Sequence, residues 1–176
     1  MVISVASLME NLIEVLENES AEYENLLNLS MQKTPVIVSE NLEALEKITD
    51  EEQYIVSRIN HLDHLRDEAI QDIANVLNKD VTNLKIVDLI KMLGQRPEEQ
   101  QKLAAVFDKL QTNVRHVARI NEQNRELLQS ALEMVQFNMN VLQAMKMAPE
   151  TANYNKGAYN TGDVIGMSSK SFDAKQ

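Results

Sequence analysis

The side chains best suited to chemistry sit together in one stretch, His61-Leu-Asp63-His64-Leu-Arg66-Asp67-Glu68. His61 and His64 are three residues apart and Asp67 follows at the same spacing, so on a helix the three share a face able to hold a surface ion. A buried two-metal carboxylate centre needs Glu-x-x-His pairs on two helices and further inward acids. Glu-x-x-His occurs nowhere in the chain, so the stretch reads as a solvated helix face. His116, between Arg115 and Val117 and close to Arg119, reads as part of a local basic patch. Gly157 and Gly162 have the outer spacing of a phosphate loop, but Asp163 follows where Lys and Ser or Thr are needed, and no strand precedes them. With no cysteine there is neither thiolate chemistry nor a disulfide framework. No enzyme, cofactor or metal site is expected.

The elements around these residues favour a binding surface. The formal charge of −10 opposes nucleic acid and anionic membrane surfaces, which call for clustered Lys and Arg. No apolar run is long enough to cross a membrane. The start, Met1-Val-Ile-Ser-Val-Ala-Ser-Leu-Met-Glu, lacks the basic region of a secretory signal. A soluble cytoplasmic protein is expected. Four glycines, three prolines and no tryptophan fit a helical bundle filled by Leu, Ile, Val, Met and Ala.

Apolar spacing predicts the helices. Leu8, Leu12, Val15 or Leu16, Tyr23, Leu26 and Leu27 form one stripe between Ser7 and Ser30, with acids outside it. Thr34-Pro35 reads as the N-cap and first-turn proline of a second helix. Its stripe runs through Val38, Leu42, Leu45, Ile48, Ile55, Ile59, Leu62, Ala69, Ile73 and Val76, with Glu52 and Arg66 at the edge or bridging to a neighbour. Thr82 is placed to cap a short helix through Leu93, which Gly94 would end as a left-handed residue. The last helix opens at Pro97 and closes before Pro149, roughly fifty residues or about 75 Å. The fold class expected is all-α: an elongated antiparallel bundle of three long helices and one short one over 1–147, the first about half as long as the others, with a flexible tail over 148–176.

The last helix carries a ladder of alternating steps of four and three: Leu103, Phe107, Leu110, Val114, Val117, Asn121, Asn124, Leu128, Ala131, Val135, Asn138, Leu142, Met145. Asn121 and Asn124 read as polar residues hydrogen-bonded inside the bundle, where they fix register. Asn138 reads as lining a groove that the shorter first helix leaves open. Met134, Met139, Met145 and Met147 gather near Phe137, and methionine suits surfaces that adapt to a partner. The segment after Met147 is polar and Gly-rich, yet it keeps apolar anchors at Tyr154, Tyr159, Val164, Ile165, Met167 and Phe172, so it is a candidate to order against a partner or its own bundle.

The string Asn121-Glu-Gln-Asn124-Arg125-Glu-Leu127-Leu128, followed by Tyr154-Asn-Lys-Gly157, resembles the FlgN family of flagellar export chaperones. The first half is similar too, in Leu8, Leu12, Leu16, Glu22-Tyr23-Glu-Asn-Leu26-Leu27, Lys33, Leu42, Leu45, Ile48 and Glu52. Pro35 and the long tail beyond Gly157 are not claimed as family features. The resemblance implies a cytoplasmic, ATP-independent chaperone that binds hook-associated proteins, shields their terminal helices and delivers them to the type III export apparatus. The family's client contacts lie toward the C-terminus. Here that region holds Leu128, Val135, Asn138, Met139, Leu142, Met145, Met147, Tyr154, Tyr159, Val164 and Ile165. Export-apparatus components are further candidate partners, and a monomer or small homo-oligomer is expected. The alternatives from other classes are a structural coiled-coil scaffold that assembles through the same seam and a bundle that binds a metal or small ligand.

Overall fold

The computed structural model describes residues 5–147. Four α-helices occupy them: α1 (Val5–Val38), α2 (Leu42–Leu77), α3 (Ile86–Met92) and α4 (Pro97–Met147), with 3-10 turns at Val81–Asn83 and Leu93–Gln95. The all-α expectation of three long helices and one short one holds. The chain divides into two compact units between Phe137 and Asn138, and α4 crosses that division.

The first turn departs from expectation. Pro35 lies inside α1, which continues to Val38 and is 34 residues long against 36 for α2, so the first helix is not the short one. Pro35 lacks the N–H that would bond the Met31 carbonyl, but the rest of the last turn closes normally. Asn41 N–H reaches the Val36 carbonyl at 3.2 Å and Glu40 N–H the Ile37 carbonyl at 3.1 Å. Glu40 takes the left-handed conformation, φ 54°, that this terminator needs. Asn41 then caps α2 by accepting the Ala44 N–H at 3.1 Å. Val38 and Leu42, expected in the stripe of α2, are exposed at this turn.

Asn78, also left-handed, ends α2 in the same way, with Lys79 N–H on the Ala74 carbonyl at 2.9 Å. Asp80, and not Thr82, caps the first 3-10 turn: its carboxylate accepts from the Thr82 amide at 3.0 Å and also from the Thr82 hydroxyl. Gly94 lies in the second 3-10 turn and is not left-handed, so the chain turns there without a glycine terminator. Pro97 opens α4 with Glu98 and Glu99 in its first turn, where carboxylates favour the helix N-terminus. Gln100 ties this start to α3 by donating to the Ile90 carbonyl at 2.9 Å.

Cross-links give the helix directions. Glu19–Arg66, Glu22–Arg58 and Lys33–Glu52 pair α1 antiparallel to α2. Ser20 meets Asn113 and Ser30 meets Asn124, so this part of α4 runs parallel to α1. The first unit is thus an up-down-up bundle, and its core comes in layers. Leu12 and Leu16 of α1, Ile73 of α2, Leu89 of α3 and Leu103 and Leu110 of α4 belong to the larger apolar cluster. Leu26, Ile55, Ile59 and Val117 make a second.

Candidate functional site

Two polar layers separate and bound the apolar clusters, and together they hold α4 in place. In the first, Asn113 donates to the carbonyl and hydroxyl of Ser20 at 3.2 and 3.3 Å. Beside it Arg66 donates to Glu19 at 2.7 Å and to Asp63. The second Glu19 oxygen is buried without a partner, so burial, ahead of the opposing pull of Arg66, raises its pKa above the ordinary 4.5. Burial also raises Tyr23, one turn on, and the negative charges of Glu19 and Asp63 add to that. Fully exposed Asp80 is instead lowered by its hydrogen bonds from Thr82.

The second layer is built on Asn124, which is 3 % exposed. Its amide donates to the Ser30 carbonyl and its oxygen accepts from the Thr34 hydroxyl, both at 2.7 Å. Ser30 in turn donates to Glu52 at 3.3 Å, and Glu52 accepts from Lys33 at 2.6 Å. One carboxamide therefore meets its donor and acceptor needs on α1, and α2 joins through Glu52.

These layers correct half of the ladder. Leu103, Leu110, Val117 and Asn124 are buried as expected. At two levels the partner lies three residues on and not four, since Asn113 is buried and Ile120 half-buried whereas Val114 and Asn121 are exposed; at the other two, Val106 and Phe107, and Leu127 and Leu128, are all half-buried. A 4-3 and a 3-4 reading share every seventh residue, and apolar content could not separate them. The bond from Asn113 to Ser20 selects the second. Asn113 is the residue that pattern reading passed over, because a polar side chain one place from Val114 carries no seam signal. Asn121 is not a buried register residue. Arg125 is exposed and pairs with Glu122 at 3.2 Å.

Past Ala131 the described part of α4 is exposed. In the first unit Leu132, Met134, Val135 and Phe137 show 48–68 % of their surface. In the second, Met139, Val141, Leu142, Met145 and Met147 show 40–84 %, and Asn138 is exposed as well. Val135, Asn138, Met139, Leu142, Met145 and Met147 thus lie on open helix surface, with Leu128 half-buried just before it. Tyr154, Tyr159, Val164 and Ile165 lie outside the described residues. Nine large apolar side chains open to solvent within sixteen residues of helix are unusual for a chain surface that binds nothing. Between Leu132 and Met147 only Glu133 and Lys146 carry charge, so the chemistry on offer is apolar burial.

Other surfaces are less developed. A groove of about 580 Å³ between α1 and α2 is lined by Leu29, Tyr54, Ile55 and Arg58, with the Arg58 guanidinium 4.9 Å from the Tyr54 ring centre. His61, His64 and His116 are exposed, and no group of three or more His, Cys, Asp or Glu suited to a metal is found among the described residues. No helix among those residues is long and apolar enough to cross a membrane.

The chain is 25 % identical over 144 residues to the uncharacterized protein YvyG of Bacillus subtilis (strain 168), covering 82 % of this chain and 83 % of that one. No solved structure matches it. The family model of the FlgN protein matches residues 1–161. The helical bundle, the Asn124 cross-link inside the Asn121–Leu128 string and that match lead to one conclusion: the chain belongs to the FlgN family.

Proposed function

We propose that this protein is a flagellar export chaperone whose client surface is the exposed end of α4 together with the segment C-terminal to it. The FlgN family is a family of flagellar export chaperones and not of enzymes, and its members bind flagellar hook-associated proteins. The observation that carries the finer reading is the run of open apolar side chains from Leu132 to Met147, which begins where the bundle's cover stops. An amphipathic client helix laid on such a surface removes its own apolar face from water, which is how a chaperone blocks premature assembly. Burial at about 25 cal/mol per Å² supplies the affinity. No covalent step is needed, so release follows from competition. Handover to the cytoplasmic face of the export apparatus completes the proposed cycle.

The test is calorimetric titration of a purified hook-associated protein into the wild-type chain and into Val135→Asp/Leu142→Asp. Binding at micromolar affinity or better, abolished in the variant with its melting unchanged, supports the reading. Equal binding by both proteins would place the client elsewhere. Concentration-driven large assemblies in light scattering, with no client bound, would favour a scaffold.

A further inference from the structure

Charge is not spread evenly over the helices. α1 and α2 together hold fifteen acidic residues against four Lys and Arg, whereas α4 holds six of each. The surplus behind the formal charge of −10 therefore lies on the antiparallel pair α1–α2. That pair belongs to the first unit and carries the groove of about 580 Å³. Among the described residues only α1 and α2 line this groove. It opens away from α4: Leu29 follows Ser20 by nine residues, about 180° round a helix, and Ser20 is the residue that meets Asn113 of α4.

On α2 the groove runs from Asp50 to Arg58, about 12 Å of helix. Its floor is apolar. Ile55 is buried, Leu29 is half-buried, and Tyr54 shows 66 % of its surface. Arg58 closes one end, held by Glu22 at 2.7 Å with its guanidinium 4.9 Å from the centre of the Tyr54 ring. Asp50 and Glu51 form the other end, and both are exposed. The nearby cations are engaged elsewhere, Lys33 with Glu52 at 2.6 Å and Lys47 with Glu43 at 3.0 Å. Asp50 and Glu51 thus have no ion-pair partner among the described residues.

Independently of the client-binding reading, we infer that this groove docks a basic amphipathic helix of another protein. The helix sets an apolar side chain on the floor of Leu29, Tyr54 and Ile55, and a Lys or Arg one turn away meets Asp50 and Glu51. A trough between two antiparallel helices, about two helical turns long, suits the apolar stripe of a third. Tyr54 is a rigid anchor of the kind that dominates interfaces, with one face already fixed by Arg58. Apolar burial supplies the hold and charge selects the partner, since the acidic surplus of α1–α2 draws in a basic segment and repels an acidic one. The groove shares no residue with the client surface proposed on α4.

The experiment titrates the full-length chain into a labelled amphipathic peptide of Leu, Ala and Lys, and into its twin with Glu in place of every Lys, read by fluorescence anisotropy. The wild type is expected to bind the Lys peptide at least tenfold more tightly than the Glu twin. Tyr54→Ser is expected to weaken the Lys peptide tenfold or more, and Asp50→Lys/Glu51→Lys to erase the preference between the two. All three residues are exposed, so the melting temperature is expected to hold. In NMR spectra of the wild type, the side-chain amides of Asn25 and Asn28, which line the groove, are expected to shift as the Lys peptide is added. Equal binding of both peptides, or no binding by the wild type, would overturn the inference. Binding untouched by the groove variants but lost in Val135→Asp/Leu142→Asp would move the peptide to α4, overturning the inference and leaving the client reading standing. If the groove variants change the sedimentation of the free chain while Asn25 and Asn28 ignore the peptide, the groove is where two copies of this chain meet and the inference fails.

Discussion

Asn124 donates its side-chain amide to the backbone carbonyl of Ser30 at 2.7 Å, across 94 positions of sequence. This bond and the Thr34 hydroxyl on the same carboxamide place α4 against the last turns of α1 and so decide where the cover of α4 stops.

Replacing Asn124 with Ala removes the amide donor to the Ser30 carbonyl and leaves the Thr34 hydroxyl only its longer, 3.4 Å bond to that carbonyl, and the Asn113 layer alone then sets register. The expected loss is about 1–3 kcal/mol, read as a lower urea midpoint at an unchanged slope. Asn121→Ala, three residues away and exposed, is expected to change stability by no more than about 0.5 kcal/mol. Equal losses at both positions would return Asn121 to the seam.

Arg66 compensates the buried Glu19 carboxylate. Arg66→Met is expected to destabilise by about 3–5 kcal/mol, because a buried charge loses its partner, and Glu19→Met added to it to recover most of the loss. A double variant no better than Arg66→Met alone would mean that Glu19 does not carry the strain.

The same carboxyl predicts a pH dependence. Burial raises the folded-state pKa of Glu19 above 4.5, so the fold holds this proton more tightly than the unfolded chain does. The contribution of Glu19 is therefore fully present below pH 4.5 and is lost as pH rises through the folded value. Relative to wild type, Glu19→Gln is expected to gain stability across that rise, measured as the difference in urea midpoints. Tyr23, raised above 10.0, behaves alike at the alkaline end, and Tyr23→Phe is expected to remove its share of the loss there. A Glu19→Gln difference that is flat with pH would show that Glu19 stays charged throughout.

Core and surface leucines of α4 should separate cleanly. Leu103 is fully buried, and Leu103→Ala is expected to cost about 2–5 kcal/mol. Leu142 is 58 % exposed, and Leu142→Ala is expected to leave thermal melting within about 0.5 kcal/mol of wild type while weakening client binding. A large stability loss at Leu142 would mean that this stretch is covered in the free protein.

Truncation after Met147 is expected to preserve helicity and the melting transition and to weaken client binding tenfold or more, about 1.4 kcal/mol. Loss of the cooperative fold on truncation would make the last 29 residues part of the core and remove them from the client surface.

The amino-acid order by itself determined the helices, their number and the single long helix after Pro97, because amphipathic spacing repeats wherever a helix buries one side. It also carried the Asn121–Leu128 string, from which the family was legible, and the crowd of methionines near Phe137. Three things were decided only by the folded chain. Pro35 reads from the sequence as the first-turn residue of a second helix, whereas it lies in the last turns of α1, and the left-handed Glu40 with Asn41 behind it settled the turn. The choice between Asn113 and Val114, or between Asn121 and Ile120, depended on which partner each side chain meets on α1, and spacing along one helix holds no record of a neighbour's carbonyl. The point at which α4 loses its cover followed from the length of α1 and its level against Asn124, a relation between segments some ninety residues apart that local pattern does not contain.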